Sequence, residues 1–428
     1  MDISPTTSNV KVSNHIPDDL VNSILHKLPI KSLKRFGCVR KSWSLLFMDP
    51  DFMTVYSNCF LSKNHSFYDD TSLLLHLKTR DKYDLYSLSG ERFENIVKLD
   101  WPKVPLQVPV RRGRIIHRIG GIPKENVPPS QVSDFSFEIP SSKKSCEILG
   151  PIGINGTLCL EYPEIPDIRG NTKLILWNPT IEESKVIYLH NSNHLSIRWG
   201  RNYQVGYDRA KNDYKMIRRT LYPPKVHPYS SLQVNFFWEI YSLNSNSWRK
   251  INDNVPHSDR CLEVVYMDGV SHWLNTSRTE TYLVSFDFSK ESFITTPIPS
   301  YEGDCFDFYS IGRLLTILNG SIAFIVNYKE RATFHISILS ELGVKESWTR
   351  LFAVGPLPCL EYPIGAGKKG NILIRKKDNN LAWFDLSTGM IDEIGIRDEF
   401  GCKILFHKES FLPIGGIYNN FSSCFHGP

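Results

Sequence analysis

Few side chains in this chain stand in an arrangement that could perform chemistry. Gly365-Ala366-Gly367-Lys368-Lys369-Gly370 is the nearest to a phosphate cradle, because glycine N–H groups and a lysine together neutralise an anion. Its spacing departs from G-x-x-x-x-G-K-[ST] and no helical pattern follows, so it reads as a turn. Cys402, His407, Cys424 and His426 lie close in sequence, yet at gaps that match no zinc site. There is no C-x-x-C, no G-x-S-x-G nucleophile elbow and no H-E-x-x-H. None of these motifs marks a catalytic residue, a metal-ligand set or a cofactor site.

Composition narrows the field. A chain of 428 residues, 41% apolar, has material for two domains and a large core. Aromatics, glycines and prolines favour a β-rich body with frequent turns. A net charge of +5 is too small to argue for nucleic acid or a membrane surface. No apolar run reaches transmembrane length. The first fifteen residues lack the apolar core of a signal peptide, and nine scattered cysteines form a poor disulfide framework. The expected compartment is cytoplasmic or nuclear, with reduced thiols.

The elements that would position a docking surface begin at residue 16. Pro17-Asp18-Asp19 predicts a helix start, with acids at the positive end of the dipole. Leu20, Val21, Ile24, Leu25 and Leu28 gather on one helical face, and Pro29 stops the helix. Ser32 is placed to cap a second helix carrying Leu33, Phe36 and Val39. Trp43, Leu46 and Phe47 extend the apolar stripe to Asp49-Pro50. Each large apolar side chain is worth roughly 1.5–3 kcal/mol when buried. Fewer than forty residues cannot enclose some ten of them, so cover must come from elsewhere: the following domain or a partner.

The series Pro17-x-Asp19-Leu20, Ile24-Leu25, Leu28-Pro29, Lys31-Ser32-Leu33, Arg35-Phe36, Val39, Lys41-x-Trp43, Leu46 and Asp49-Pro50-x-Phe52 resembles a plant F-box almost position by position. That resemblance implies docking on a small acidic Skp-type adaptor that bridges to a cullin. It implies that Pro17, Leu20, Ile24, Leu25, Leu28, Pro29, Leu33 and Phe36 contact the adaptor. Val39 and Trp43 would brace the module or complete the contact. Lys27, Lys31, Lys34, Arg35, Arg40 and Lys41, with no acid among them, suit an acidic partner. Ile16, Gly37 and Arg40 depart from the usual pattern. Gly37 costs a helix about 1 kcal/mol relative to alanine and predicts a kink or a short second helix.

After residue 60 the pattern becomes strand-like, in runs such as Leu73–Leu77, Lys173–Trp177, Phe236–Tyr241 and Ile372–Ile374. One unit recurs: apolar strand, polar turn, strand. Its copies span 84–96, 174–187, 238–251, 283–298, 334–351 and 381–396. Anchors at Tyr86, Trp177, Tyr241, Phe286, Ile338 and Phe384 are 91, 64, 45, 52 and 46 residues apart. The last three steps fit one four-stranded propeller blade each. The first, nearly two units long, predicts a degenerate blade or an insertion around 102–150, a proline-rich stretch carrying Arg111-Arg112-Gly113-Arg114. That basic run reads as a solvated loop, a nuclear import signal or a contact for an acidic target. Asn155-Gly156, Asp268-Gly269 and Asn319-Gly320 predict hairpin turns. Residues 403–406 and 410–414 are candidates for the strand that closes the ring.

This half resembles the F-box-associated, kelch-like domain found behind many plant F-boxes, although the double glycine of a strict kelch repeat is missing. The expected fold class is α+β multidomain, a short all-α three-helix F-box followed by an all-β propeller-like repeat domain. The expected boundaries are a disordered tail at 1–13, an F-box at 14–58, a propeller of about six blades at 60–415 and a tail at 416–428. The resemblance implies a non-catalytic substrate receptor of an SCF ubiquitin ligase, with an unidentified protein target on the propeller. Two alternatives stay open: an interaction protein outside a ligase, and a propeller enzyme with a polar cluster at its channel. Tyr222, Tyr229, Trp199 and Tyr301 are candidate anchors for the target.

Overall fold

A computed structural model describes residues 16–28, 32, 35–36, 38–39, 41–46, 49, 51–52, 54–56, 59, 71–90, 93–102, 146–161, 173–188, 203–222, 235–251, 260–276, 281–298, 311–410 and 414. Among the described residues, helices α1 (Asp18–Leu25) and α2 (Lys41–Leu46), with further helical residues at 51–52 and 54–56, precede 24 strands. The strands form six four-stranded blades among the described residues. β1 (Thr71–Lys78), β2 (Tyr83–Ser89) and β3 (Asn95–Leu99) make blade 1 together with the last strand, β24 (Cys402–Lys408). Blade 2 is β4 (Glu147–Ile154), β5 (Thr157–Glu161), β6 (Lys173–Asn178) and β7 (Glu183–Tyr188). Blade 3 is β8 (Tyr203–Asp208), β9 (Asp213–Tyr222), β10 (Asn235–Ser242) and β11 (Ser247–Ile251). Blade 4 is β12 (Arg260–Met267), β13 (Val270–Thr276), β14 (Thr281–Asp287) and β15 (Ser292–Pro297). Blade 5 is β16 (Ile311–Leu318), β17 (Ser321–Tyr328), β18 (Thr333–Leu339) and β19 (Trp348–Val354). Blade 6 is β20 (Leu360–Ala366), β21 (Asn371–Lys376), β22 (Asn380–Asp385) and β23 (Ile391–Arg397).

All six repeat anchors fall on the third strand of a blade, which is why they recur. The interval from Tyr86 to Trp177 holds no further blade among the described residues: β3 is followed by β4, whose first residue is Glu147, and 103–145 lie outside the described residues. Each predicted Asn-Gly or Asp-Gly pair joins the first two strands of its blade. Asn155, Asp268 and Asn319 take φ of 49, 52 and 47°, and the glycines after them 76, 85 and 69°. Those mirror-image turns match the strand twist. The glycine-rich 365–370 stretch is likewise a turn, closing β20 onto β21.

The central strands do not alternate. β17 is buried at six successive positions and β1 at five. A blade lies between two neighbours, so both faces of its inner strands are covered and the apolar run becomes continuous. The outer strands carry the exposure instead: β3 is exposed at four of its five residues.

Ring closure rests on β24. It pairs antiparallel with β1, Leu74 opposite Leu405, and parallel with β4 at Phe406–Ile152. One chain end is thereby stitched to the other, and a sheet edge is removed. Of the second candidate closing segment, Ser410 and Ile414 bind blade 2 instead. The Ser410 carbonyl accepts from Asn178 Nδ2 at 2.8 Å, and the Ile414 N–H donates to Glu183 Oε2 at 2.9 Å. The Ile414 side chain is buried in the core of blades 2 to 4.

Close approach elsewhere requires glycine. A Cβ on Gly206 would overlap the Phe288 ring of blade 4, and one on Gly153 would lie 2.5 Å from His407 Nδ1. Blades 3 and 4 are further clasped by Lys215. Its ammonium donates to Asp208 Oδ2 at 2.6 Å, to Glu291 Oε1 at 2.7 Å and to the Phe288 carbonyl at 3.0 Å. Three N–H groups thus meet three acceptors, and Arg249 pairs with the other Glu291 oxygen. For Asp208, burial raises the carboxyl pKa, but bonds from Lys215 and the Lys211 N–H outweigh it and hold it below the usual range.

Candidate protein-docking surface

Helix α1 begins as its sequence dictates. Pro17, with φ of −54°, precedes it, Asp18 and Asp19 occupy the first turn, and the Leu20 and Val21 N–H groups bond the Pro17 carbonyl at 3.0 Å. The helix ends at Leu25, and residues 26–28 turn before Pro29, so it is shorter than its apolar pattern predicts. At 3.6 residues per turn, that pattern divides into two adjacent rows. Leu20 and Ile24 point outward, 56% and 52% exposed, whereas Val21 and Leu25 point inward, 5% and 2% exposed.

The inward row is covered by this chain. Val21, Leu25, Phe52 and Tyr56 share one contiguous apolar cluster with Phe334, Ile336 and Leu360, among others, from blades 5 and 6. Phe52 stacks on His26 at 4.4 Å between ring centres. The Tyr56 hydroxyl donates to the Leu28 carbonyl at 3.2 Å, tying the helical residues 54–56 to the turn after α1. Burial, with a smaller contribution from Cys59, pushes the Tyr56 phenol pKa up to about 12, so it stays a neutral donor.

The ten residues selected from sequence therefore divide. Pro17, Leu20, Ile24, Phe36 and Val39 are exposed, Val39 at 72%. Leu28 and Trp43 are half-buried against the inner cluster, with Trp43 also 5.8 Å from the Phe36 ring. Leu25 is buried. Pro29 and Leu33 lie outside the described residues. Ser32, Arg35 and Phe36 are helical, the chain turns at Cys38 and Val39, and α2 starts at Lys41. Ser32 thus stands within helical backbone and does not precede it. Lys27, Arg35 and Lys41 are exposed, whereas Lys31, Lys34 and Arg40 are outside the described residues.

Sequence reasoning passed over Leu45 and Val55, both exposed, and the inward role of Tyr56. The four-residue spacing of Phe52 and Tyr56 is the helical signal that marks them as neighbours. Of the proposed target anchors, Trp199, Tyr229 and Tyr301 lie outside the described residues, as does the side chain of Tyr222.

His272 Nδ1 lies 2.8 Å from Ser285 Oγ, the pairing a nucleophile would need. The two are cross-strand partners in blade 4, exposed by only 2% and 1%. Burial lowers the His272 pKa to about 3, so the ring is a neutral core group. Among the described residues no group of His, Cys, Asp and Glu is arranged to hold a metal ion, and no helix is long and apolar enough to cross a membrane.

Comparison with known proteins agrees with the propeller. An F-box/kelch-repeat protein of Arabidopsis thaliana is 23% identical over 404 residues, covering 93% of this chain and 95% of the relative. F-box protein CPR1 of the same plant is 24% identical over 413 residues, covering 90% and 85%. Solved structures give distant likenesses, among them a Lactobacillus plantarum protein at a TM-score of 0.40 and 8% identity, covering 79% of this chain and 99% of that one. Residues 154–410, more than half the chain, match the F-box associated beta propeller domain. The chain belongs to that F-box-associated propeller family, and its relatives are plant F-box proteins.

Proposed function

We propose that this chain is the substrate-recognition subunit of an SCF-type ubiquitin ligase. Residues 14–58 would bind a Skp-type adaptor, which bridges to a cullin, and residues 60–415 would hold a target protein for ubiquitination. The observation that carries this reading is the outward row of α1: two large aliphatic side chains, both more than half exposed, one helical turn apart. Left in water they forgo roughly 1.5–3 kcal/mol each, which a partner's groove recovers. Lys27, Arg35 and Lys41, exposed in the same N-terminal segment, suit an acidic partner. The receptor needs no catalytic group of its own, because the conjugating enzyme carries the activated ubiquitin. The free thiols of Cys146, Cys159, Cys359 and Cys402 accord with a cytoplasmic or nuclear site of action.

The test is reconstitution. The intact chain, mixed with a plant Skp-type adaptor and a cullin, should elute as one ternary complex on size exclusion. Failure of the folded chain to bind the adaptor would remove the reading. Adaptor binding without cullin recruitment would favour an interaction protein that works outside a ligase.

A further inference from the structure

We infer that blades 5 and 6 form a seat that fixes the orientation of the N-terminal helices, so that the two rows of α1 have separate duties. Leu20 and Ile24 face the partner; Val21 and Leu25 are positioning residues that hold the helices on the propeller. The inference rests on the proposed adaptor reading for the first duty only. The second rests on burial. A module of some forty residues has too much surface for its volume to bring four large side chains to near-complete burial unaided. Yet Val21, Leu25, Phe52 and Tyr56 are 5%, 2%, 5% and 1% exposed, in one cluster with blade residues. The half-buried Leu28, Trp43 and Leu46 of the helices join the same cluster, as do Leu351, Phe352, Val354 and Leu357 around the edge of blade 5.

The cover is selective. Leu20 adjoins Val21, and Ile24 adjoins Leu25, yet each pair differs by about fifty percentage points in exposure. A helix packed against nothing would expose both rows alike. A helix engulfed by the propeller would expose neither. The Tyr56–Leu28 hydrogen bond locks the helical segments to one another, so the seat holds them as a unit. A partner on the outward row would then be held at one angle to the propeller. A fixed geometry brings a target on the propeller to a repeatable distance from whatever the adaptor carries, and raises effective concentration as a short, stiff linker does.

Hydrogen–deuterium exchange on the full chain tests this. Leu25→Ala removes a buried side chain from the seat and should speed exchange in the segment joining blades 5 and 6 on the order of tenfold. The reporters are the Leu357 N–H, bonded to the Ala332 carbonyl, and the Leu360 N–H, bonded to the Leu357 carbonyl. Blades 2 and 3 should be unaffected. Tyr56→Phe, a milder change, should move the same amides in the same direction by less. Acceleration confined to the helices, with none in those blade amides, would overturn the seat. A second arm adds purified Skp-type adaptor. Binding with the blade amides still protected supports separate rows, whereas binding that releases them means the adaptor displaces the seat, and overturns it. If no adaptor binds, the ligase reading fails while the Leu25→Ala arm still decides the seat.

Discussion

The helices and the propeller treat the same kind of residue in opposite ways. In β17, six successive side chains vanish from solvent because a neighbouring blade lies against each face. In α1, half of the large apolar side chains stay in water, because the propeller covers one side only. Apolar content alone does not separate a core from a docking surface. The number of covered sides does. Substitutions in the two regions should therefore report to different measurements: stability for the propeller, partner affinity for the outward helix row.

The largest effect is expected where the propeller buries charge. Lys215→Met leaves Asp208 and Glu291 without their ammonium, and breaking a buried pair costs about 3–5 kcal/mol. Urea unfolding should show it as a lower midpoint at unchanged slope, with the outward row still able to bind. Next comes Gly206→Ala, whose methyl overlaps the Phe288 ring and should cost about 3 kcal/mol. Trimming Phe288 to leucine in the same chain should return part of that loss, because the two sites couple through one contact.

A further effect depends on pH. Burial lowers the pKa of His272 to about 3 and of His407 to about 4. Both are neutral when folded and take protons when unfolded once pH falls below the ordinary value of about 6.5. The unfolded state then binds more protons, so stability is complete above that pH and falls as pH drops toward 4. Asp208 and Glu291, held below the usual range against the raising effect of burial by their bonds to Lys215 and to Arg249 and Lys215 respectively, add a further loss only at lower pH. Unfolding midpoints between pH 7 and 2 should show two stages, and His407→Gln should flatten the first.

Much of the propeller was legible because it repeats. Six anchors, three mirror-image turns and the closing strand Lys403–Phe406 all follow from local chemistry written into consecutive residues. The Lys215 clasp was not legible, because Glu291 reaches it from the next blade, 76 residues away, and no spacing rule links residues so far apart. The helix pattern revealed that Leu20, Val21, Ile24 and Leu25 share an apolar stripe about 100° wide or more, which is broad enough for two neighbours. It gave no means of deciding which row faces which, because that depends on where blades 5 and 6 lie. Burying Leu25 while baring Ile24 is a tertiary decision.

The most direct measurement is adaptor affinity, by calorimetry, for the intact chain and for Leu20→Glu/Ile24→Glu. Both positions are exposed, so the unfolding free energy should change by no more than about 0.5 kcal/mol. Two lost anchors of about 2 kcal/mol each should weaken binding by at least about a hundredfold. Met390→Glu, equally exposed but on the propeller, should leave affinity unchanged. A double variant that binds the adaptor as tightly as the original chain would contradict the account.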